Sequence, residues 1–255
     1  MSELVGGERK ERVIVFLDLL GYSSILKNQE FYGWPILDDQ IERAWNFITK
    51  FYSIVDEVTK GLGEEFKITG FSDSVFIVLE PLSSETLIDK NQLYMLSRIL
   101  QELQGSCFED NLPIRGGISM GFVAANRDLG SSNMNYFAGK AVEEAVNFEG
   151  SQEWVGIAFI PPDWISPEYK ERYCKLLAWL DSKTPRTIVR WDVPTKKGLV
   201  NTYAITWAKP DEVRIRDFME FEIGKHRYED GKYRSSLRLA HKIMEKEDID
   251  NPCQE

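Results

Sequence analysis

Residues 12–23, RVIVFLDLLGYS, open on a β-branched apolar run and break at a carboxylate. Arg12 to Leu17 has the composition of a buried central strand, the kind that packs on both faces of a sheet. Asp18 ends the run. A carboxylate there is costly to bury alone, so it needs a metal, a helix N-terminus or a paired cation. A plain helix N-cap is the other reading of the position. Gly21 lets the backbone come close to a ligand, and the amides around it can point at an anion.

Outward from this strand, the order of elements sets the fold class. From Leu37 to Val58 the residues Leu37, Ile41, Ala44, Trp45, Ile48, Tyr52, Val55 and Val58 recur every three or four positions, the period of a helix with one face in the core. Glu65 to Thr69 (EFKIT) and Ser74 to Leu79 (SVFIVL) read as a hairpin with Asp73 at its tip. A second helix covers roughly Asn91 to Phe108, with Leu93, Leu96, Leu100 and Leu103 on one face, and Ile114 to Gly121 (IRGGISMG) is the next strand. The order βαββαβ predicts an α/β (α+β) ferredoxin-like layer in which the end of the first strand and the hairpin turn meet.

Further along, residues 124–135 (AANRDLGSSNMN) read as an exposed loop, Gly139 to Phe148 as a helix and Val155 to Ile160 as a strand. This divides the chain into a polar leader at 1–12, a core at 13–165 and a C-terminal extension at 166–255 packed on that core. The extension carries a strand at Leu199–Trp207, helices near Asp211–Lys225 and Tyr233–Lys246, and a frayed acidic tail from about Glu247.

The 255 residues are 43% hydrophobic, enough for a full core, and the formal net charge of -10 argues against a surface built for nucleic acid. Three cysteines without metal-ligand or disulfide spacing read as reduced thiols. No apolar run reaches the ~20 residues of a membrane helix, and residues 1–12 lack the apolar stretch of a signal peptide. The expectation is a cytoplasmic protein with neither a membrane nor nucleic acid as a direct partner.

Asp73, in GFSDSVFI, sits where a turn of purely structural purpose would more commonly use Asn-Gly or Asp-Gly. Brought together, Asp18 and Asp73 repel unless cations lie between them, and two-metal sites are the recurrent solution in phosphoryl chemistry. Arg115, beside two glycines on its strand, is a candidate for reaching a phosphate through its guanidinium, with a structural ion pair as the alternative.

FLDLLGYS, GFSDSVFI, and LPIRGGISMG followed by FAGKAVEEAVNFE resemble, in order and spacing, the motifs of class III nucleotidyl cyclases over approximately Val13 to Ile160. The resemblance implies Asp18, Asp73 and the Leu19 carbonyl as ligands of two divalent metals, Mn2+ favoured and Mg2+ possible. It implies the Leu20, Gly21 and Tyr22 amides as the triphosphate cradle, and Phe16, Thr69 and Tyr136 as further nucleotide contacts. It also implies a homodimer with sites built from both subunits, with Lys140 and Lys183 as lesser candidates for reaching the triphosphate from the second copy.

Two departures bear on the substrate. The family's purine-reading positions fall on Thr69, which carries no charge, and on the bulky Tyr136, a combination that fits a shortened pocket and a pyrimidine. In this the chain resembles the bacterial Pycsar pyrimidine cyclases. The expected product is cyclic UMP, with cyclic CMP next, serving as an antiphage messenger for a separate effector protein. The family's transition-state Asn and Arg positions fall on Glu143 and Asn147. A purine cyclase, or a cyclase-like module that senses nucleotide or dimerises without turnover, are the alternatives.

Overall fold

The apolar run around Val13 and the hairpin that follows it become neighbours in one sheet. The computed structural model describes residues 8–20, 38–63, 65–82, 85–110, 112–126 and 136–206. Along these run β1 (Glu8–Leu19), α1 (Asp38–Thr59), β2 (Phe66–Phe71), β3 (Ser74–Leu79), α2 (Lys90–Glu109), β4 (Ile114–Asn126), β5 (Tyr136–Ala138), α3 (Lys140–Ser151), β6 (Gly156–Phe159), α4 (Pro167–Asp181), β7 (Ile188–Thr195) and β8 (Gly198–Ile205). The sheet order is β2-β3-β1-β4-β6-β8-β7, with β5 on β4. Its first four strands are antiparallel, in the order of the expected ferredoxin-like layer. β6 then adds parallel to β4, and β8 and β7 continue antiparallel.

Alternation along β1 sends Val13, Val15, Leu17 and Leu19 into a core shared with Phe51, Ile54 and Val55 of α1 and Leu93, Leu96, Leu100 and Leu103 of α2. The opposite face buries Ile14 with Val78, Val123 and the α3 residues Ala141 and Ala145. Three helices' worth of apolar side chains therefore lie against one sheet from both sides, which explains the unbroken apolar composition of β1. Among the described residues, no helix is long and apolar enough to cross a membrane.

Three readings need correction. β1 starts at Glu8, inside the expected polar leader, because Lys10, Glu11 and Arg12 are buried with partners. Arg12 pairs with Glu80 at 3.1 Å, and Glu11 accepts from Arg172 and from the Ile88 amide. Trp45, expected in the α1 core stripe, is 64% exposed; the buried stripe is rotated toward Phe51, Ile54 and Val55. The stretch read as a loop from residue 124 is strand as far as Asn126, held by β5. In addition, α4 and β7 had no counterpart in the sequence pattern. The helices expected beyond residue 210 lie outside the described residues.

Only Ser72 and Asp73 separate β2 from β3, and Ser72 takes φ 56°, a left-handed conformation disfavoured by its side chain. The Tyr52 hydroxyl fastens the turn from α1, donating to the carbonyls of Ser72 and Ser74 at 3.1 Å each. The Tyr52 ring also lies over Gly70, in the space a Cβ there would need. Ser72→Gly is expected to raise unfolding free energy by about 1 kcal/mol, read from the urea midpoint, by relieving that backbone strain.

Candidate active site

Residues directly opposite one another on neighbouring strands share a face of the sheet. The register therefore lays out two rows beneath α3. The outer row runs Phe71, Ser74, Asp18, Arg115 across β2, β3, β1 and β4, and the next runs Thr69, Phe76, Phe16, Gly117. Asp18 is thus set between a hydroxyl and a guanidinium, with an aromatic pair behind it: the rings of Phe16 and Phe76 stand 4.7 Å apart.

The Ser74 hydroxyl donates to Asp18 Oδ1 at 3.1 Å, and an Arg115 terminal nitrogen lies 3.9 Å from Asp18 Oδ2. Leu19, the last residue of β1, buries its side chain in the opposite core, and its amide donates to the Asp73 carbonyl at 2.9 Å. That bond ties the hairpin turn to the end of β1, and so brings Asp73 to the same end of the sheet as Asp18. Arg115 is held from three directions. Its Nε donates to Glu149 Oε1 at 2.5 Å and a terminal nitrogen donates to the Gln152 carbonyl at 2.9 Å, leaving the other terminal nitrogen toward Asp18. Arg115 is thus ion-paired with Glu149 and lies beside Asp18.

Burial first, then the charges of Glu149 and Asp73, push the Asp18 carboxyl up to about 6, against the opposing effects of Ser74 and Arg115. Burial likewise raises Glu149, with Arg115 opposing. A carboxyl raised on folding binds its proton more readily in the folded state. Its ionisation therefore costs stability progressively as pH climbs from about 4, the unfolded value, through about 6. Asp18→Asn is expected to be more stable than the natural protein by about 1–3 kcal/mol at pH 7.5, with the gap closing near pH 4. Urea unfolding of both proteins at the two pH values measures it; a gap that did not shrink in acid would contradict the ionisation of a buried Asp18 as its cause.

Other expected site residues fare differently. Thr69 is half-buried in the second row, next to Phe76. The Leu20 amide is already engaged, donating its single N–H to the Pro113 carbonyl at 2.8 Å, so it serves the fold and is not free for the expected cradle. Gly21 and Tyr22 lie outside the described residues. Tyr136 opens β5 opposite Asn126, at the far end of β4 from Arg115, on the order of 30 Å along the strand. Within one chain, therefore, β4 does not bring it to Asp18. Glu143 and Asn147 occupy the exposed flank of α3, Glu143 pairing with Lys140 at 3.0 Å. Lys183 lies over the Trp179 ring, 4.0 Å from its centroid, at the end of α4.

Sequence reasoning missed Ser74, Glu149 and Gln152. Ser74 was legible, since pairing Ser74–Leu79 against Val13–Asp18 sets it opposite Asp18. Glu149 and Gln152 carried no signal, because their place depends on how α3 seats on the sheet.

The donor set suits hard cations. Asp18 and Asp73 offer carboxylate oxygens in a patch where, among the described residues, carboxylates outnumber the Arg115 guanidinium, and a Mg2+-type ion is held by one or two carboxylates plus substrate phosphates. Among the described residues, no three His, Cys, Asp or Glu side chains form a metal cage. Any such ion would draw its remaining ligands from the backbone, water or substrate.

No protein-family model matches the chain, and no curated protein matches it. Several solved structures do. The catalytic core of a rhodopsin-guanylyl cyclase with converted specificity, in complex with ATPalphaS, aligns at 13% identity and TM-score 0.46 over 78% of this chain and 97% of that one. A bacterial light-regulated adenylyl cyclase aligns at 16% identity and TM-score 0.47 over 95% of this chain and 57% of that one. The guanylate cyclase domain of RhGC from Catenaria anguillulae, in complex with GTP, aligns at 13% and 0.44, over 78% of this chain and 98% of that one. Likeness at this level makes no statement about chemistry, which rests on the residues of this chain.

Proposed function

We propose that the protein is a nucleotidyl cyclase that converts a pyrimidine nucleoside triphosphate, UTP in preference to CTP, to its 3′,5′-cyclic monophosphate and pyrophosphate. The observation that carries this reading is the meeting of Asp18 and Asp73 at one sheet end, through the Leu19–Asp73 bond and the Asp18–Ser74 pairing. Asp18, Asp73 and the Leu19 carbonyl would hold two divalent cations, Mn2+ favoured and Mg2+ possible. When bound, such ions neutralise the triphosphate and acidify the ribose 3′-hydroxyl.

The residues of the chain do the rest. Asp18 would also accept the proton of the 3′-hydroxyl as that oxygen attacks the α-phosphorus and pyrophosphate departs. Ser74 fixes its orientation. Backbone amides after Leu20 would cradle the triphosphate. Phe16 and Phe76 form an apolar floor, and Thr69 beside them offers a hydroxyl in place of a charged purine reader.

Tyr136 stands at the far end of β4 from Arg115, and Glu143 and Asn147 are exposed on α3, which favours a homodimer in which a second copy completes each site. A cytoplasmic antiphage role, with a separate effector reading the cyclic nucleotide, follows from the resemblance to the Pycsar cyclases. The core expected at 13–165 begins at Glu8, and the extension expected from 166 contributes β7 and β8 to the same sheet.

Incubating the purified protein with ATP, GTP, CTP and UTP separately, with Mn2+, and resolving products by chromatography tests the reading. A cyclic pyrimidine nucleotide is expected. A cyclic purine nucleotide would keep the cyclase and overturn the inference from Thr69 and Tyr136. Nucleotide binding without product would favour a sensor.

A further inference from the structure

Among the described residues the guanidinium of Arg115 is the positive charge nearest Asp18, at 3.9 Å, yet its shortest bond, 2.5 Å, goes to Glu149 on α3. Both are largely out of solvent: the Arg115 side chain is 16% exposed and that of Glu149 6%. An Arg115 without Glu149 would present its full charge to Asp18, the carboxylate assigned above to a cation. With Glu149 in place, that charge is already balanced.

We infer that Glu149 is a positioning residue that acts through Arg115, holding its guanidinium back from Asp18 so that the Asp18 carboxylate stays open to a divalent cation. The inference rests on the cation site proposed above and adds to it a residue that touches neither nucleotide nor metal.

The surrounding bonds make the arrangement rigid. The Gln152 carbonyl accepts a second Arg115 nitrogen, and the Gln152 side-chain amide donates to the Gly116 carbonyl at 2.9 Å. Trp154, itself fully buried, donates its indole N–H to Gln152 Oε1 at 2.6 Å. The end of α3 is thereby fastened to β4 at the residue after Arg115. A fork held at two of its three nitrogens cannot turn toward Asp18 without breaking one of those bonds. The short Arg115–Glu149 contact is the one that also cancels charge.

A purely structural ion pair and a charge-balancing one predict different results. If the pair only holds α3 to β4, removing either member should weaken cation binding in the same direction. If Glu149 restrains Arg115, the two removals have opposite signs. Glu149→Gln frees an unbalanced positive charge beside Asp18, whereas Arg115→Gln removes that charge and leaves an additional negative one.

The test measures the affinity of the full-length protein for Mn2+ alone, without nucleotide, from the free-Mn2+ signal in electron paramagnetic resonance. Circular dichroism melts of each variant accompany it. The expected result is that Glu149→Gln weakens Mn2+ binding at least tenfold, Arg115→Gln strengthens it several-fold, and the double variant returns to within about threefold of the natural protein. Weakening in both single variants, or no change in either, overturns the inference while leaving the cation site standing. Should Glu149→Gln fail to fold, the sign of the Arg115→Gln effect decides alone. A natural protein that bound no Mn2+ would bring down the cation site as well as this inference, and so is distinguishable from failure of the inference itself.

Discussion

On the proposed cyclase reading, Asp73→Asn is expected to lower turnover by about a thousandfold while leaving the fold intact. The substitution takes one negative charge from the proposed cation site, and loss of transition-state charge stabilisation of this kind is worth roughly 4 kcal/mol. The fold has little to lose. Asp73 is half-buried in a two-residue turn, its structural contribution is the backbone carbonyl that accepts from Leu19, and asparagine keeps that carbonyl and tolerates turns well. The unfolding free energy should move by no more than about 0.5 kcal/mol. Steady-state rates with the preferred triphosphate, alongside urea unfolding, measure both. Full activity in this variant would remove Asp73 from the site, and with it the two-carboxylate reading.

Gly117→Ala is the second large effect, and it acts in the opposite way, through the fold. A Cβ at Gly117 would fall against the Ala145 carbonyl and within 3.1 Å of the Glu149 amide, both backbone atoms of α3. Neither can swing aside as a side chain would. In an open strand the same change would be mildly favourable, because alanine orders at lower entropic cost than glycine. Here the helix must lift from the sheet, at a cost of about 3 kcal/mol, and the melting temperature should drop on the order of 10 °C. Since α3 carries Glu149, the lift also disturbs Arg115 and Asp18. A neutral result by thermal melting would mean that α3 does not seat on Gly117 as described.

These two predictions draw on different sources, and the contrast runs through the molecule. Asp73 stood out in the sequence because a Ser-Asp-Ser turn between two apolar strands is an odd choice for a turn alone. Gly117 did not, because nothing in IRGGISMG says which glycine lies beneath a helix. The β2–β3 hairpin and the α2 stripe were legible because period-2 and period-3.6 patterns are local. The Trp45 reading failed for the same reason that α1 was recognised at all: periodicity finds a helix, but which flank is covered depends on what packs there. Glu8 to Arg12 looked like a polar leader, since burial of Lys10, Glu11 and Arg12 becomes tolerable only once partners as distant as Glu80 and Arg172 arrive.

By itself the sequence determined the ferredoxin-like order of elements and the two aspartates that converge, because both follow from short-range patterning and from where apolar runs stop. Tertiary structure alone decided which charges surround Asp18, that Arg115 is bound to Glu149, and that Tyr136 sits at the far end of β4. Those facts depend on strand register and on the seating of α3, contacts between residues tens of positions apart that no local pattern encodes.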